Sequence, residues 1–302
     1  MTLSRRRFLT IASAACLGAG AARAKPFRWR GIALGARTQI ILDHPDAAAL
    51  AERAQAEMSR LERVFSLYRA ESDVMRLNAT GHLEAPSFDL LACLAQARRV
   101  HEVTGGRFDP TVQPLWQVVA RAASDGRALR PQEAREARAL IGFDRVRFDA
   151  MAVVMEPGQA LTLNGIAQGY IADRVADLMR AAGVRDVLID TGEISALGSG
   201  VDPAGWPVTL AGTSRELTLR DRALATSALL GTVLDAAGTQ GHILDPRDGA
   251  LRPRGARQVS VSARSAALAD GLSTGLSLVD NLQDAQAMIS GIKDARLESF
   301  LV

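Results

Sequence analysis

The chain has 302 residues, with 36 Lys+Arg against 33 Asp+Glu, and 48% of it is hydrophobic, enough to bury one large core or two packed lobes. Of its two cysteines only Cys93 lies beyond residue 24, and no CxxC spacing occurs, which excludes a disulfide framework and a thiol-type zinc centre in the remainder. No Lys/Arg block interleaved with aromatics is present, so the composition argues against nucleic acid as the main partner.

Ser4-Arg5-Arg6-Arg7-Phe8-Leu9 fits a twin-arginine export pattern, followed by an apolar run to Ala22 and the small-residue site Ala22-Arg23-Ala24. The apolar run is about a dozen residues, where a spanning helix needs roughly 20. Ser13 stands where a large aliphatic precedes a lipid-modified cysteine, which argues against a lipid anchor at Cys16. Residues 1–24 are therefore expected to be an export signal delivering a periplasmic protein, with 25–302 as a single domain. Loss of Arg5, Arg6, Arg7 and Arg23 with that signal takes the formal charge from +3 to −1.

Beyond the signal, helical and strand-like segments alternate without a repeat. Residues 32–42 read as a strand pair or one long strand. Pro45-Asp46 opens an Ala-rich helix in which Leu50, Ala54, Met58 and Leu61 recur at helical spacing, ending near Val64. A second helix starts at Pro86, carries Leu90, Leu91, Leu94, Ala97 and Val100 on one side, and stops at Gly105-Gly106. Residues 150–155 and 160–163 read as a hairpin around Pro157-Gly158. From Gly165, the stripe Ile166, Tyr170, Ile171, Val175, Leu178 and Met179 predicts an amphipathic helix ending at Gly183. Residues 187–190 predict a buried strand, 206–210 and 216–219 a hairpin, 259–263 a strand, and 266–279 and 284–289 helices. This order fits α+β better than a regular βαβ array.

Candidate chemistry lies in two stretches. Asn164-Gly165-Ile166-Ala167-Gln168-Gly169 sits where a strand becomes a helix, so backbone N–H groups and the helix dipole favour an anion. The same glycines suit tight helix packing equally well. Asp190-Thr191-Gly192-Glu193 follows a strand and reads as a ligand position or an ordinary turn. In the second stretch, His242 lies in Gly241-His242-Ile243-Leu244-Asp245-Pro246. Asp270 and Thr274 fall at i and i+4 on a helix, with Ser273 beside them. Such hard oxygens suit Mg²⁺, which binds substrate phosphates directly; a helix cap or solvated face is the alternative. Gly105-Gly106-Arg107-Phe108-Asp109-Pro110-Thr111 and Tyr68 read as ligand contacts or as plain loop and packing. The combination points to metal-assisted phosphate chemistry.

Six segments in order carry a family resemblance: Leu61-Glu62 through Ser72 to Asn78; Gly106 to Thr111; Gly165 to Asp173; Ala225-Thr226-Ser227; His242 to Pro246; and Ala269 to Thr274. Over these segments the chain resembles the ApbE-type flavin transferases. It differs from their usual pattern at Leu34-Gly35-Ala36, at Asn164 and Gln168, and at Gly192-Glu193, where the family's usual pair is Gly-Gly. The resemblance implies an α+β fold with mixed, largely antiparallel sheets flanked by helices, and FAD held as substrate between two packed lobes with Mg²⁺ on its pyrophosphate. By position it implies that Gly165, Asp270, Ser273 and Thr274 hold the metal. Leu34, Tyr68, Arg107, Phe108, Asp109, Thr162, Gln168, Ile243 and Leu244 would surround the flavin nucleotide, and His242 and Asp270 would be catalytic. The implied reaction moves FMN from FAD to a Thr hydroxyl of an acceptor flavoprotein, releasing AMP, the acceptor being the periplasmic domain of a membrane-bound electron-transfer complex. Two alternatives share these residues: a Mg-dependent FAD pyrophosphatase giving FMN and AMP, and a periplasmic flavin-binding or assembly protein.

Overall fold

The computed structural model describes residues 26–200, 202–234, 238, 241–248 and 255–302; the expected export signal at 1–24, with Cys16, lies outside them. The strands are β1 (Phe27–Ala33), β2 (Ala36–Leu42), β3 (His82–Glu84), β4 (Arg147–Phe148), β5 (Ala152–Val154), β6 (Val187–Asp190), β7 (Ile194–Leu197), β8 (Trp206–Thr209), β9 (Glu216–Leu219), β10 (Arg222–Ala228), β11 (Gln258–Ala263) and β12 (Arg296–Leu301). The α-helices are α1 (Ala47–Phe65), α2 (Asp73–Thr80), α3 (Phe88–Val103), α4 (Gln113–Ser124), α5 (Pro131–Ala139), α6 (Ala167–Ala181), α7 (Ala266–Leu276) and α8 (Leu282–Ser290). Seven strands form the main sheet in the order β1-β2-β6-β7-β10-β11-β12; β3-β5-β4 and β8-β9 form two smaller ones. Every pairing among them is antiparallel, so the sheets are more uniform than the mixed arrangement expected. Among the described residues no helix is long and apolar enough to cross a membrane.

Strand alternation sorts the main sheet into two faces. Ile40, Leu42, Val187, Ile189, Ala223, Ala225, Val259 and Val261 join the principal core beneath the helices. Ile41, Ile194, Ala196 and Leu224 face the other way, under Trp206, Val208 and Leu219 of the β8–β9 hairpin. On the first face α7 packs across β10 and β11, with α6 and α3 against α7 and α1 against α6. The small residues of α7, AALADGLSTGL, allow this: Gly271 faces Val100 and Ile166, and Gly275 faces Thr104 and Phe108. A third cluster, Leu115, Val119, Ala137 and Leu244, lies between α4, α5 and the 241–248 segment.

Helices α6 and α7 cap each other. Near the start of α6, the Gly169 N–H donates to Asp270 Oδ2 on α7 at 3.1 Å. At the start of α7, Ala266 N (2.7 Å), Ala267 N (3.0 Å) and Ser265 Oγ (2.7 Å) all donate to the Asp173 carboxylate on α6. Each helix thus satisfies amide groups that the other's first turn leaves open. The crossing is close, because a Cβ at Gly169 would collide with the main chain of Ala266 and Ala267. Backbone cannot move aside as a side chain does, so Gly169→Ala is expected to cost about 3 kcal/mol, at the upper end of overpacking changes. At roughly 2–4 °C per kcal/mol for a chain of this size, calorimetry should record a melting temperature lower by about 6–12 °C.

The expected hairpin over 150–163 does not form. β5 pairs instead with β3 and β4, and residues 160–163 belong to no strand. The backbone of Leu161 is held by the Asn78 carboxamide, which accepts from Leu161 N at 2.7 Å and donates to Leu161 O at 2.8 Å. One side chain here supplies the two bonds a neighbouring strand would have made.

Candidate functional site

The site grows around the start of α6. The chain enters that helix through Thr162-Leu163-Asn164-Gly165, where Leu163 is fully buried and Gly165 half-buried. A Cβ at Gly165 would lie 3.1 Å from Thr274 Oγ1 and 3.3 Å from Phe108 Cε2, so the turn sits directly against α7 and the 105–111 loop. The i, i+4 spacing holds, with Asp270 and Thr274 on the stretch of α7 facing α6. Asp270 is 3% exposed and Thr274 half-buried.

β10 adds a residue that motif reading did not place in the site. Alternation along β10 puts Ser227 on the same face as Ala223 and Ala225, toward α7. Its hydroxyl lies 2.7 Å from Ser273 Oγ and 3.2 Å from Thr274 Oγ1. Ser273, by contrast, is fully enclosed and donates to the Asp270 carbonyl at 3.0 Å. The half-buried hydroxyls are therefore those of Thr274 and Ser227, and Ser273 braces them from behind rather than facing outward as a ligand.

Glu193 completes the group. It stands in the three-residue turn between β6 and β7, is 8% exposed, and its Oε2 accepts from Thr226 N at 3.2 Å, one residue before Ser227. Thr191 Oγ1 in the same turn donates to the Gln168 carbonyl at 3.2 Å, fastening the turn to the start of α6. Burial raises the carboxyls of both Asp270 and Glu193 above the usual range, and their mutual repulsion raises Glu193 further. Among the described residues neither carboxylate makes an ion pair with Lys, Arg or His. No three His, Cys, Asp or Glu side chains converge among those residues. The available donors are carboxylate, hydroxyl and main-chain oxygens with surplus negative charge, which fits a hard divalent cation of the Mg²⁺ class.

The residues expected around a flavin nucleotide fall into three kinds. Phe108 is buried and held at both main-chain ends: its N–H donates to Thr104 Oγ1 at 3.1 Å, and its carbonyl lies 2.9 Å from His101 Nδ1. Gln168 lies at the α6 start, its side chain beside Gly192, and Thr162 is half-buried with its N–H on Pro110 O at 2.8 Å. Leu34 adopts a positive φ of 46° in the β1–β2 turn, where its N–H donates to Glu62 Oε1 at 2.7 Å. Tyr68 stands 83% exposed in the loop after α1, and half-buried Arg107 keeps a buried Nε without a hydrogen-bond partner. Two expectations change. Asp109 is a brace for its own loop, accepting from Thr111 N at 2.8 Å and Phe143 N at 3.1 Å, so both carboxylate oxygens are engaged within the protein. The Leu244 side chain is taken up by the α4–α5 cluster, leaving main chain and half-buried Ile243 to face elsewhere.

His242 is half-buried and packs its main chain and ring against the Thr232 carbonyl. The Thr232 carbonyl accepts from His242 N at 3.0 Å and lies 3.1 Å from Nδ1. A carbonyl only accepts, so Nδ1 carries the proton and Nε2 keeps its lone pair. Burial lowers the imidazole below its ordinary value and favours that neutral form.

Known proteins resemble this chain in sequence and in fold. The ApbE family profile matches residues 34–299. A FAD:protein FMN transferase of Klebsiella pneumoniae is 31% identical over 224 residues, covering 67% of this chain and 66% of that protein. One from Vibrio cholerae is 29% identical over 293 residues, covering 90% and 87%. The crystal structure of the ApbE protein of Thermotoga maritima superposes with a TM-score of 0.82 at 24% identity, over 90% of this chain and 94% of that one. With the profile spanning residues 34–299 and the fold matched over 90% of the chain, this protein belongs to the ApbE family.

Proposed function

We propose that this chain transfers FMN from FAD to a threonine hydroxyl of an acceptor flavoprotein, releasing AMP, in the periplasm. The observation that carries this reading is the meeting of the Gly165 turn, Asp270, Thr274 and Ser227 at the start of α6, a hard-oxygen group beside a helix N-terminus. The relatives named FAD:protein FMN transferase support it, and the twin-arginine pattern at Ser4–Leu9 supports the compartment.

Asp270, Thr274 and the Gly165 carbonyl would hold Mg²⁺, with Ser273 and Ser227 fixing the Thr274 hydroxyl. Bound there, Mg²⁺ would neutralise pyrophosphate charge that otherwise repels a nucleophile. The remaining work falls to the protein. The α6 start offers its dipole to the phosphates, and Phe108, Gln168 and Thr162 give the nucleotide a wall. The acceptor hydroxyl oxygen forms a bond to the FMN-side phosphorus while the bridging P–O bond breaks and AMP carries that oxygen away. The hydroxyl proton passes to His242 Nε2. An exported acceptor belonging to a membrane-bound electron-transfer complex suits a flavin that must not diffuse away.

The test is the intact mass of a Thr-containing acceptor domain after incubation with FAD and Mg²⁺. A gain of one FMN, absent with EDTA, is the expected result. Free FMN and AMP with unmodified acceptor would replace transfer by hydrolysis, and intact FAD across several acceptors would leave a binding protein.

A further inference from the structure

We propose that Glu193 is a constituent of the cation site, a second carboxylate that strengthens binding of the divalent ion held by Asp270 and Thr274. This rests on the reading of those residues as a metal site. The turn Asp190-Thr191-Gly192-Glu193 reads in sequence as a ligand position or an ordinary turn, and the expected metal-ligand set leaves Glu193 out; its place follows from four contacts. The β6–β7 turn is fastened to Gln168 by Thr191. The next residue of α6, Gly169, binds Asp270. The Glu193 carboxylate is anchored on Thr226 N by one oxygen. The residue after Thr226 is Ser227, whose hydroxyl touches Thr274. The turn, the start of α6, β10 and α7 thus bring two buried carboxylates and two half-buried hydroxyls to one place.

A purely structural role explains this poorly. A buried carboxylate bonded to a single backbone N–H, beside another carboxylate and, among the described residues, without a basic side chain, destabilises the fold by its desolvation and by repulsion. A glutamine would keep the Thr226 bond without either penalty. The arrangement gains a rationale when a cation neutralises both carboxylates, whether Glu193 touches the ion or acts through an intervening water. Residues supporting metal ligands in this way typically change affinity by about 10–100-fold.

The measurement is Mn²⁺ binding by the FAD-free protein, followed by loss of the free-ion EPR signal, beside the melting temperature without metal. In Glu193→Gln the dissociation constant should rise at least tenfold while the metal-free melting temperature holds or rises. A structural role would give the reverse: unchanged Mn²⁺ affinity and a lower melting temperature. Asp270→Asn separates the two levels of the argument. If it abolishes binding while Glu193→Gln binds as wild type does, the cation site stands and the proposal for Glu193 is overturned. If the wild-type protein takes up no Mn²⁺ with or without FAD, both fall.

Discussion

Asp270→Asn should lower FMN transfer at least about a hundredfold without lowering the melting temperature. The two halves of this expectation come from the two oxygens of one side chain. Oδ2 accepts the Gly169 N–H at 3.1 Å, and the asparagine carbonyl can keep that bond and with it the cap on α6. The buried charge is lost, which relieves desolvation in the metal-free protein but removes the only carboxylate on the stretch of α7 that faces the Gly165 turn. Supporting residues around metals cost about 10–100-fold when changed, so a direct ligand should lie at or beyond the upper end. Asp270→Ala should show the same loss of transfer and, in addition, about 1 kcal/mol of destabilisation from the missing cap. Steady-state transfer assays across a Mg²⁺ titration, paired with calorimetry, check both. Transfer by Asp270→Asn within threefold of wild type at saturating Mg²⁺ would remove Asp270 from the site.

The second large effect is at His242. Its Nδ1 is fixed on the Thr232 carbonyl, so the imidazole presents Nε2 as a base. Replacing it with alanine should reduce the rate of transfer by about 10²–10⁴-fold, the range for a positioned general base, while Mn²⁺ affinity stays within twofold. The pH profile gives the sign. Burial lowers the His242 value below that of a free imidazole, so the neutral, proton-accepting form persists to lower pH. The acid limb of kcat/KM should therefore fall below the usual imidazole range, activity dropping as pH decreases through it. That limb should vanish in His242→Ala. A variant that transfers FMN at near wild-type rate would mean that another group, or water, takes the proton.

Periodic patterns made much of the architecture readable in advance. The stripe from Ile166 to Met179 announced α6, and Leu50, Ala54, Met58 and Leu61 announced α1, because both helices bury one continuous side. β10 was silent: its segment, RALATSA, consists mainly of small residues that fit under a tightly packed helix, and small residues show weak periodicity. Ser227 went unplaced for that reason, although the alternation Ala223, Ala225, Ser227 contains the signal once the strand is known. Asp270 and Thr274 were legible because i, i+4 spacing fixes their shared side before any fold is assumed. Glu193 was legible only as part of a turn that reads as a ligand position or an ordinary one, since its approach to Thr226 and Ser227 depends on the pairing of β7 with β10. Asp109 misled for a different reason. A carboxylate in a glycine-containing loop suggests a ligand, yet this one faces inward and satisfies the amides of its own neighbourhood.

The mutual capping of α6 and α7 also bears on how such a protein changes over generations. Asp270 belongs to the proposed cation site, but Gly169 also depends on it, and α7 in turn depends on Asp173. A lineage that gave up the chemistry would not be free to let position 270 drift, because most replacements would leave the α6 amide without a partner. The permitted exits are narrow, with asparagine the most direct. Loss of catalysis in a descendant should therefore appear first at residues without a second duty, such as His242, while the aspartate remains as a fossil of the fold.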